Sequence, residues 1–240
     1  MTQPSELDTL PPFDREAARA ARNIMALTPE RVAASLASYG VNVYPQAVRD
    51  WEDGTRPPDE AELVALARTL ALPVERLLGS GPTTLQMCRL RAGLTRAEAG
   101  RKVGMSEATW TRMERTNRWR ADERRTEALV RALGGLSHRQ LVEVSGAADE
   151  LAGLIALTLA GTRRQAHLGP ITEVLGTRRR RIGEAIEALA AEFPPTGEKF
   201  EEGTTPPLPA GALDRFWFHL GSPAADPFAP GAWRRPPGRA

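Results

Sequence analysis

At 240 residues the chain has room for two or three small domains rather than one large core, since a domain takes about 100–150 residues. Its 41% hydrophobic and 26% charged residues give a globular balance. No run reaches the roughly 18 apolar residues of a membrane span, and with a net charge of only +2 it is the placement of the basic residues that matters.

The single cysteine, Cys88, can form neither an internal disulfide nor a multi-thiolate metal site. His138, His167 and His219 are too far apart for ligand spacing. The acidic start, MTQPSELDTLPPFDRE, lacks the basic-then-apolar build of a signal peptide, which predicts a cytoplasmic protein. Only Lys102 and Lys199 are lysines among 32 basic residues. Some of that arginine excess is compositional, because alanine, glycine and proline are abundant too.

In chain order, residues 1–13 carry Pro4, Pro11 and Pro12 with little periodicity and read as a flexible arm. Helical periodicity runs from about Arg15 to Leu78, followed by GSGPT (79–83) as a short linker. A second helical block covers about Thr84 to Val144, and a third Ala148 to Phe193. Beyond these come a proline- and glycine-rich stretch containing FWFHL (216–220) and a tail expected to be disordered. The domain boundaries that follow are 14–80, 81–146 and 147–221, with the arm at 1–13 and the tail at 222–240.

The two helical blocks repeat one another. MALTPERVAASLASYG (25–40) aligns with AGLTRAEAGRKVG (92–104), pairing Leu27 with Leu94, Thr28 with Thr95 and Ala33 with Gly100; upstream, Arg22 pairs with Arg89. Downstream, VYPQAVRDWEDGTRPP (43–58) aligns with MSEATWTRMERTNRWR (105–120), pairing Glu52 with Glu114. The change of offset falls at SYGVN, which lengthens the turn in the first repeat.

Each repeat has the local signals of a bihelical turn. Thr28 precedes Pro29 at a first helical position, and Thr95 has Glu98 three residues on, a capping box. Small Ala33 and Gly100 let a second helix cross closely. In the second repeat Gly104 ends one helix and Ser106 caps the next, which turns Met105, Trp110 and Met113 inward. Glu107, Ala108, Thr111, Arg112 and Arg115 are left facing out.

These residues resemble the Xre family of helix-turn-helix DNA-binding domains, the phage-repressor or Cro/C1 type. Arg22, Leu27-Thr28, Val32-Ala33, Trp51-Glu52-Asp53-Gly54 and Pro58 carry the pattern in the first repeat, with ELVALARTLALPVERLLG (62–79) as closing helices. Arg89, Leu94-Thr95, Ala99-Gly100 and Met113-Glu114-Arg115 carry it in the second, where Thr116 replaces the glycine and Arg120 the proline, so a different turn is expected there. The resemblance covers about half the chain. It implies tandem five-helix helix-turn-helix domains in an all-α fold, to which the third block adds a mainly helical C-terminal domain with room for a small wing and a disordered tail. It also implies structural ion pairs Arg22–Glu52 and Arg89–Glu114, whose loss would cost on the order of 3–5 kcal/mol if buried.

Charge separates the repeats. Residues 15–80 hold 8 basic and 9 acidic side chains, residues 83–145 hold 13 and 7. Because phosphate neutralisation supplies most non-specific DNA affinity, the second repeat is the expected principal DNA contact. Its candidates for major-groove base edges are Glu107, Ala108, Thr111 and Arg112, with Thr95, Arg96, Ser106, Arg115, Arg118 and Arg120 on phosphates. Any single exposed arginine among these reads equally as a solvated face. The first repeat offers Gln46 and Arg49, types that read adenine and guanine edges, beside the repelling Asp50, Glu52 and Asp53. Trp110, Met113 and Cys88 read as core, Cys88 as packing rather than a nucleophile.

In the third block Ile171, Val174 and Leu175 form one apolar face, Gly176-Thr177 a turn, and Ile182, Ile186 and Leu189 a second helix behind Arg178, Arg179, Arg180 and Arg181. This reads as a winged-helix-like unit with FWFHL in the wing, or equally as a dimerisation helix or a solvated basic run.

Three function classes compete. A sequence-specific regulator of double-stranded DNA, most simply a nucleoid-associated repressor, accounts for the most residues. The alternative is an adaptor docking a protein partner (polymerase, partition factor or toxin) or a second copy of itself through domain 1 or the C-terminal domain. An enzyme is disfavoured, as there is no carboxylate cluster on a strand, phosphate loop, metal-ligand set or triad. No cofactor is expected.

Overall fold

The structure is a computed structural model that describes residues 11–79, 83–161, 164–195 and 205–221. Among the described residues it is all-α, with thirteen α-helices, a 3₁₀ turn and no strand. The chain divides into two compact units. One runs to Arg115 except for residues 102–104, and the other holds those three and everything from Thr116 onward.

The first unit begins with α1 (Arg15–Ile24), α2 (Pro29–Ala37), α3 (Pro45–Asp53) and α4 (Glu60–Thr69), closed by the 3₁₀ turn Val74–Leu77. Local chemistry sets the starts: Asp14, Thr28 and Asp59 accept from the backbone N–H groups of Ala17, Arg31 and Glu62, while α2 and α3 open on proline. Apolar positions on these helices, including Val32, Leu36, Trp51 and Leu63, form one core. Residues 11–13, which the sequence placed in the flexible arm, belong to this unit: Phe13 bridges to Leu78, and Gly79 N donates to Pro12 O at 2.8 Å. Prolines there limit periodicity without preventing the chain from pairing with the end of the unit. The rest of the arm, linker residues 80–82 and the tail lie outside the described residues.

The unit continues with α5 (Leu85–Arg91) and most of α6 (Arg96–Val103) and α7 (Glu107–Thr116). Helix α5 is buried from Leu85 to Leu90, and its Met87 and Leu90 join the core formed by α1–α4. The turns before α2 and α6 are built alike. Leu27 N donates to Arg22 O at 3.0 Å and Leu94 N to Arg89 O at 3.2 Å, with positive φ at Ala26 (52°) and Gly93 (64°).

The second unit contains α8 (Glu123–Ala132), α9 (His138–Val144), α10 (Ala148–Ala160), α11 (Arg164–Leu175), α12 (Arg179–Glu192) and α13 (Ala212–His219). Asp122 caps α8, and Ser137 with Gln140 forms a capping box on α9. Ile171, Val174, Leu175, Ile182, Ile186 and Leu189 are all buried in one core, as the periodicity predicts. The α11–α12 turn sits against the start of α8, where a side chain at Gly176 would overlap the Thr126 hydroxyl. That hydroxyl in turn accepts from the buried Trp119 indole at 2.9 Å.

FWFHL is not part of a wing; it lies within and at the end of α13. Ala212, Phe216 and Leu220 fall one turn apart on a single face and are buried together with Trp217 beside them, while Phe218 is exposed. The turn after α7 does differ from its counterpart. Gly54 takes the left-handed position in the first repeat, whereas the second shifts it one residue to Asn117 (φ 45°), whose amide donates to Val144 O at 2.8 Å.

Candidate nucleic-acid interface

Helices α6 and α7 form the candidate interface, and their caps follow the sequence. Glu98 N donates to Thr95 Oγ1 at 3.2 Å while Thr95 N donates back to Glu98 Oε2 at 2.8 Å. Thr109 N donates to Ser106 Oγ at 3.2 Å, starting α7. The two helices cross closely at Gly100, where a Cβ would lie 3.0 Å from Met105 O.

One face of α7 is inward: Trp110 and Glu114 are buried and Met113 half-buried. The opposite face exposes Glu107, Ala108, Arg112 and Arg115, with Thr111 half-buried at its edge and Ser106 exposed just before it. This brings together six of the residues expected on base edges and phosphates. Arg118 and Arg120 belong to the second unit; Arg118 is exposed, and Arg120 pairs with Glu150.

Both structural ion pairs are present. Arg22 Nε donates to Glu52 Oε1 at 2.6 Å and Arg89 Nε to Glu114 Oε1 at 2.5 Å; each arginine also holds the carbonyl of the residue before its threonine cap, Leu27 or Leu94, at 2.8 Å. The second pair has two more members. Arg89 Nη2 donates to Glu60 Oε2 at 2.6 Å, Arg96 Nη2 to Glu60 Oε1 at 2.8 Å, and Arg96 Nε to Glu114 Oε2 at 3.0 Å. Glu60, Arg89, Glu114 and Arg96 thus form a closed ring of alternating charge joining α4, α5, α7 and α6. A second tie lies nearby, where Arg68 Nη2 donates to Gly93 O at 2.6 Å and Glu98 Oε2 at 2.7 Å. Burial pushes the Glu98 carboxyl up, but the bonds from Arg68 and Thr95 outweigh it and hold its pKa below the ordinary value.

Glu60 and Arg68 were not among the candidate residues, and no local spacing marks them, because their partners are 25 to 36 residues away. Arg96, expected on a phosphate, spends two of its donors inside the ring. Gln46 donates to Asp50 at 2.8 Å, and Arg49 pairs with Glu30, so the first repeat's reader candidates face carboxylates. Cys88 is fully buried, which pushes its thiol pKa up to about 11. It is packing.

In the second unit Arg178, Arg179, Arg180 and Arg181 are exposed at the start of α12. Arg178 donates to Glu123 at 2.8 Å, Arg181 donates to Leu220 O at 2.6 Å, and Arg180 lies 3.7 Å from Glu184. The face that continues from them along α12 is Gly183, Glu184 and Glu187.

Residues 83–144 match the family model of a helix-turn-helix domain. This domain takes α5 to α7 from the first unit and α8 and α9 from the second, and its fold is one that binds DNA through the second helix of the turn. No curated protein and no solved structure matches the chain. Among the described residues, no helix is long and apolar enough to cross a membrane, and no group of histidine, cysteine, aspartate or glutamate is placed to hold a metal ion.

Proposed function

We propose that the protein is a sequence-specific regulator of the Xre type that binds double-stranded DNA in the bacterial cytoplasm and represses by occluding promoter DNA. The carrying observation is the outward face of α7, a capped helix anchored through buried Glu114 in the helix-turn-helix domain. In this reading α7 enters the major groove with Glu107, Ala108, Thr111 and Arg112 on base edges. Ser106, Arg115 and Arg118 take phosphates directly, as do Thr95, Arg96 and Arg120 where their internal partners leave a donor. Arg178 to Arg181 extend the footprint, whereas Gln46 and Arg49, engaged by Asp50 and Glu30, take no part in it. Two chains would read a palindrome, one chain an asymmetric site.

Selection from a random duplex library tests this. The intact chain enriches a defined motif, and its affinity falls steeply as salt rises from about 50 to 200 mM. Arg112→Ala costs about 1–3 kcal/mol on that motif and relaxes one position of it. An intact chain that enriches no motif overturns the reading.

A second reading, docking of a protein partner through the first repeat, is favoured by exposed Ile24, Met25, Tyr39 and Tyr44, with Ile24 and Tyr44 each 85% exposed. Salt-tolerant protein binding without any DNA shift distinguishes it.

A further inference from the structure

The ring Glu60–Arg89–Glu114–Arg96 has one member from outside the second repeat. Arg89 and Glu114 are the repeat's own ion pair, and Arg96 opens its α6, but Glu60 is the first residue of α4. Arg89 is 0% exposed and Glu114 3%. A guanidinium buried to that degree needs its donors filled, and Glu60 takes one that Glu114 cannot fill alone. Glu60 also turns Arg96 toward Glu114, so the first turn of α6 and the last of α7 are fixed through a carboxylate supplied by α4. Gln86 donates to Glu60 as well. Arg68, from the same helix, holds the turn before α6 at Gly93 and the cap residue Glu98. Shared packing runs the same way, with Met87 and Leu90 of α5 in the core of α1–α4.

We infer that Glu60 is a positioning residue for DNA reading by the second repeat, and that the first repeat acts as a brace setting the pose of α6 and α7 rather than as an independent reader. This rests on the reading of α7 as the DNA-contacting helix. The state of α3 supports it: Gln46 and Arg49 are engaged by Asp50 and Glu30, and Asp53 is exposed at its end. An approaching phosphate would meet carboxylates there first.

A specificity ratio separates bracing from general stabilisation. A variant that is merely less folded binds its motif and unrelated DNA more weakly by the same factor. Opening the ring instead loosens α7 while returning Arg96 to solvent. In the full-length chain, Glu60→Gln is expected to lower the ratio of motif to non-specific affinity about tenfold with non-specific affinity undiminished, whereas Gln46→Ala/Arg49→Ala leaves ratio and motif unchanged. A Glu60→Gln ratio within about twofold of the native one, or loss of part of the motif in the α3 variant, overturns the inference. Should Glu60→Gln fail to fold, Arg68→Gln tests the second tie with the same readout. Hydrogen exchange gives an arm independent of DNA: Glu60→Gln raises exchange over residues 96–115 and leaves 15–53 protected, and uniform exchange overturns the brace. A native chain that binds no duplex defeats the functional reading alone, and exchange then decides the brace.

Discussion

The two repeats make the same arginine–glutamate bond in different surroundings. In the first, Arg22 is 15% exposed, and Glu52 is shared with Arg19, which reaches on to Asp53; every side chain of this cluster comes from α1 or α3. In the second, Arg89 is sealed and its extra carboxylate comes from α4. The first pair keeps some exposure to solvent, while the second is sealed and takes its further carboxylate from a neighbour. One sequence pattern therefore gives a self-contained ion pair in one repeat and a borrowed one in the next, and the depth of burial decides which.

Cutting the two centres should expose the contrast most strongly. Arg89→Met leaves buried Glu114 and its neighbour Glu60 to share the partly exposed Arg96 and removes the bond to Leu94 O; it should destabilise by on the order of 3–5 kcal/mol in urea unfolding. Arg22→Met leaves Arg19 on Glu52 at a wetter site and should cost about 1–3 kcal/mol. Equal losses would contradict the difference described above.

Backbone substitutions sharpen the comparison at smaller magnitude. The turn before α6 has glycine at its left-handed position and the turn before α2 has Ala26 there. Nothing lies within 4 Å of a Cβ at Gly93, so Gly93→Ala tests conformation alone and should cost about 1–2 kcal/mol. Ala26→Gly should stabilise by about 0.5–1 kcal/mol, because relief of strain is partly offset by chain entropy. Differential scanning calorimetry on both variants reads the opposite signs.

The smallest effect expected is at an exposed ion centre in the second unit. Arg215 donates to both oxygens of Glu192, at 2.6 and 2.5 Å, and His219 lies 2.8 Å away. The Arg215 bonds above all, opposed by desolvation and helped by His219, lower the Glu192 pKa from 4.5 to about 2. A carboxylate whose pKa is depressed on folding stabilises above its unfolded pKa, and that contribution is lost as pH falls toward the folded one. The hold on α13 should therefore weaken between about pH 4.5 and 2, seen as a shift of the Trp217 indole resonance. In Glu192→Gln this pH-dependent step should be absent.

Local chemistry made much of this legible from sequence. The caps at Thr28, Thr95 and Ser106, the close crossing at Gly100 and the pairs Arg22–Glu52 and Arg89–Glu114 depend on spacings within one repeat. Thr116 in the place of Gly54 signalled a changed turn, though not that Asn117 would take the left-handed conformation. FWFHL misled because five residues cannot distinguish strand from helix; the deciding signal is the recurrence of Ala212 with Phe216 and Leu220. The ring was hidden because Glu60 falls at an unremarkable helix start, 29 residues from Arg89. Arg96 was assigned to phosphates on charge and position, and its two internal partners come from tertiary packing alone.

Helix α5 has a consequence for how this gene could be shuffled. A recombination joint at residues 80–82 would look clean, since the helix-turn-helix match begins at residue 83. The transplanted segment would carry Met87 and Leu90 without the apolar wall they fill, and Arg89 with one carboxylate missing. A host protein receiving residues 83–144 alone would inherit a sticky helix. Inheritance should therefore keep the two repeats together, and a workable graft boundary lies upstream of α1.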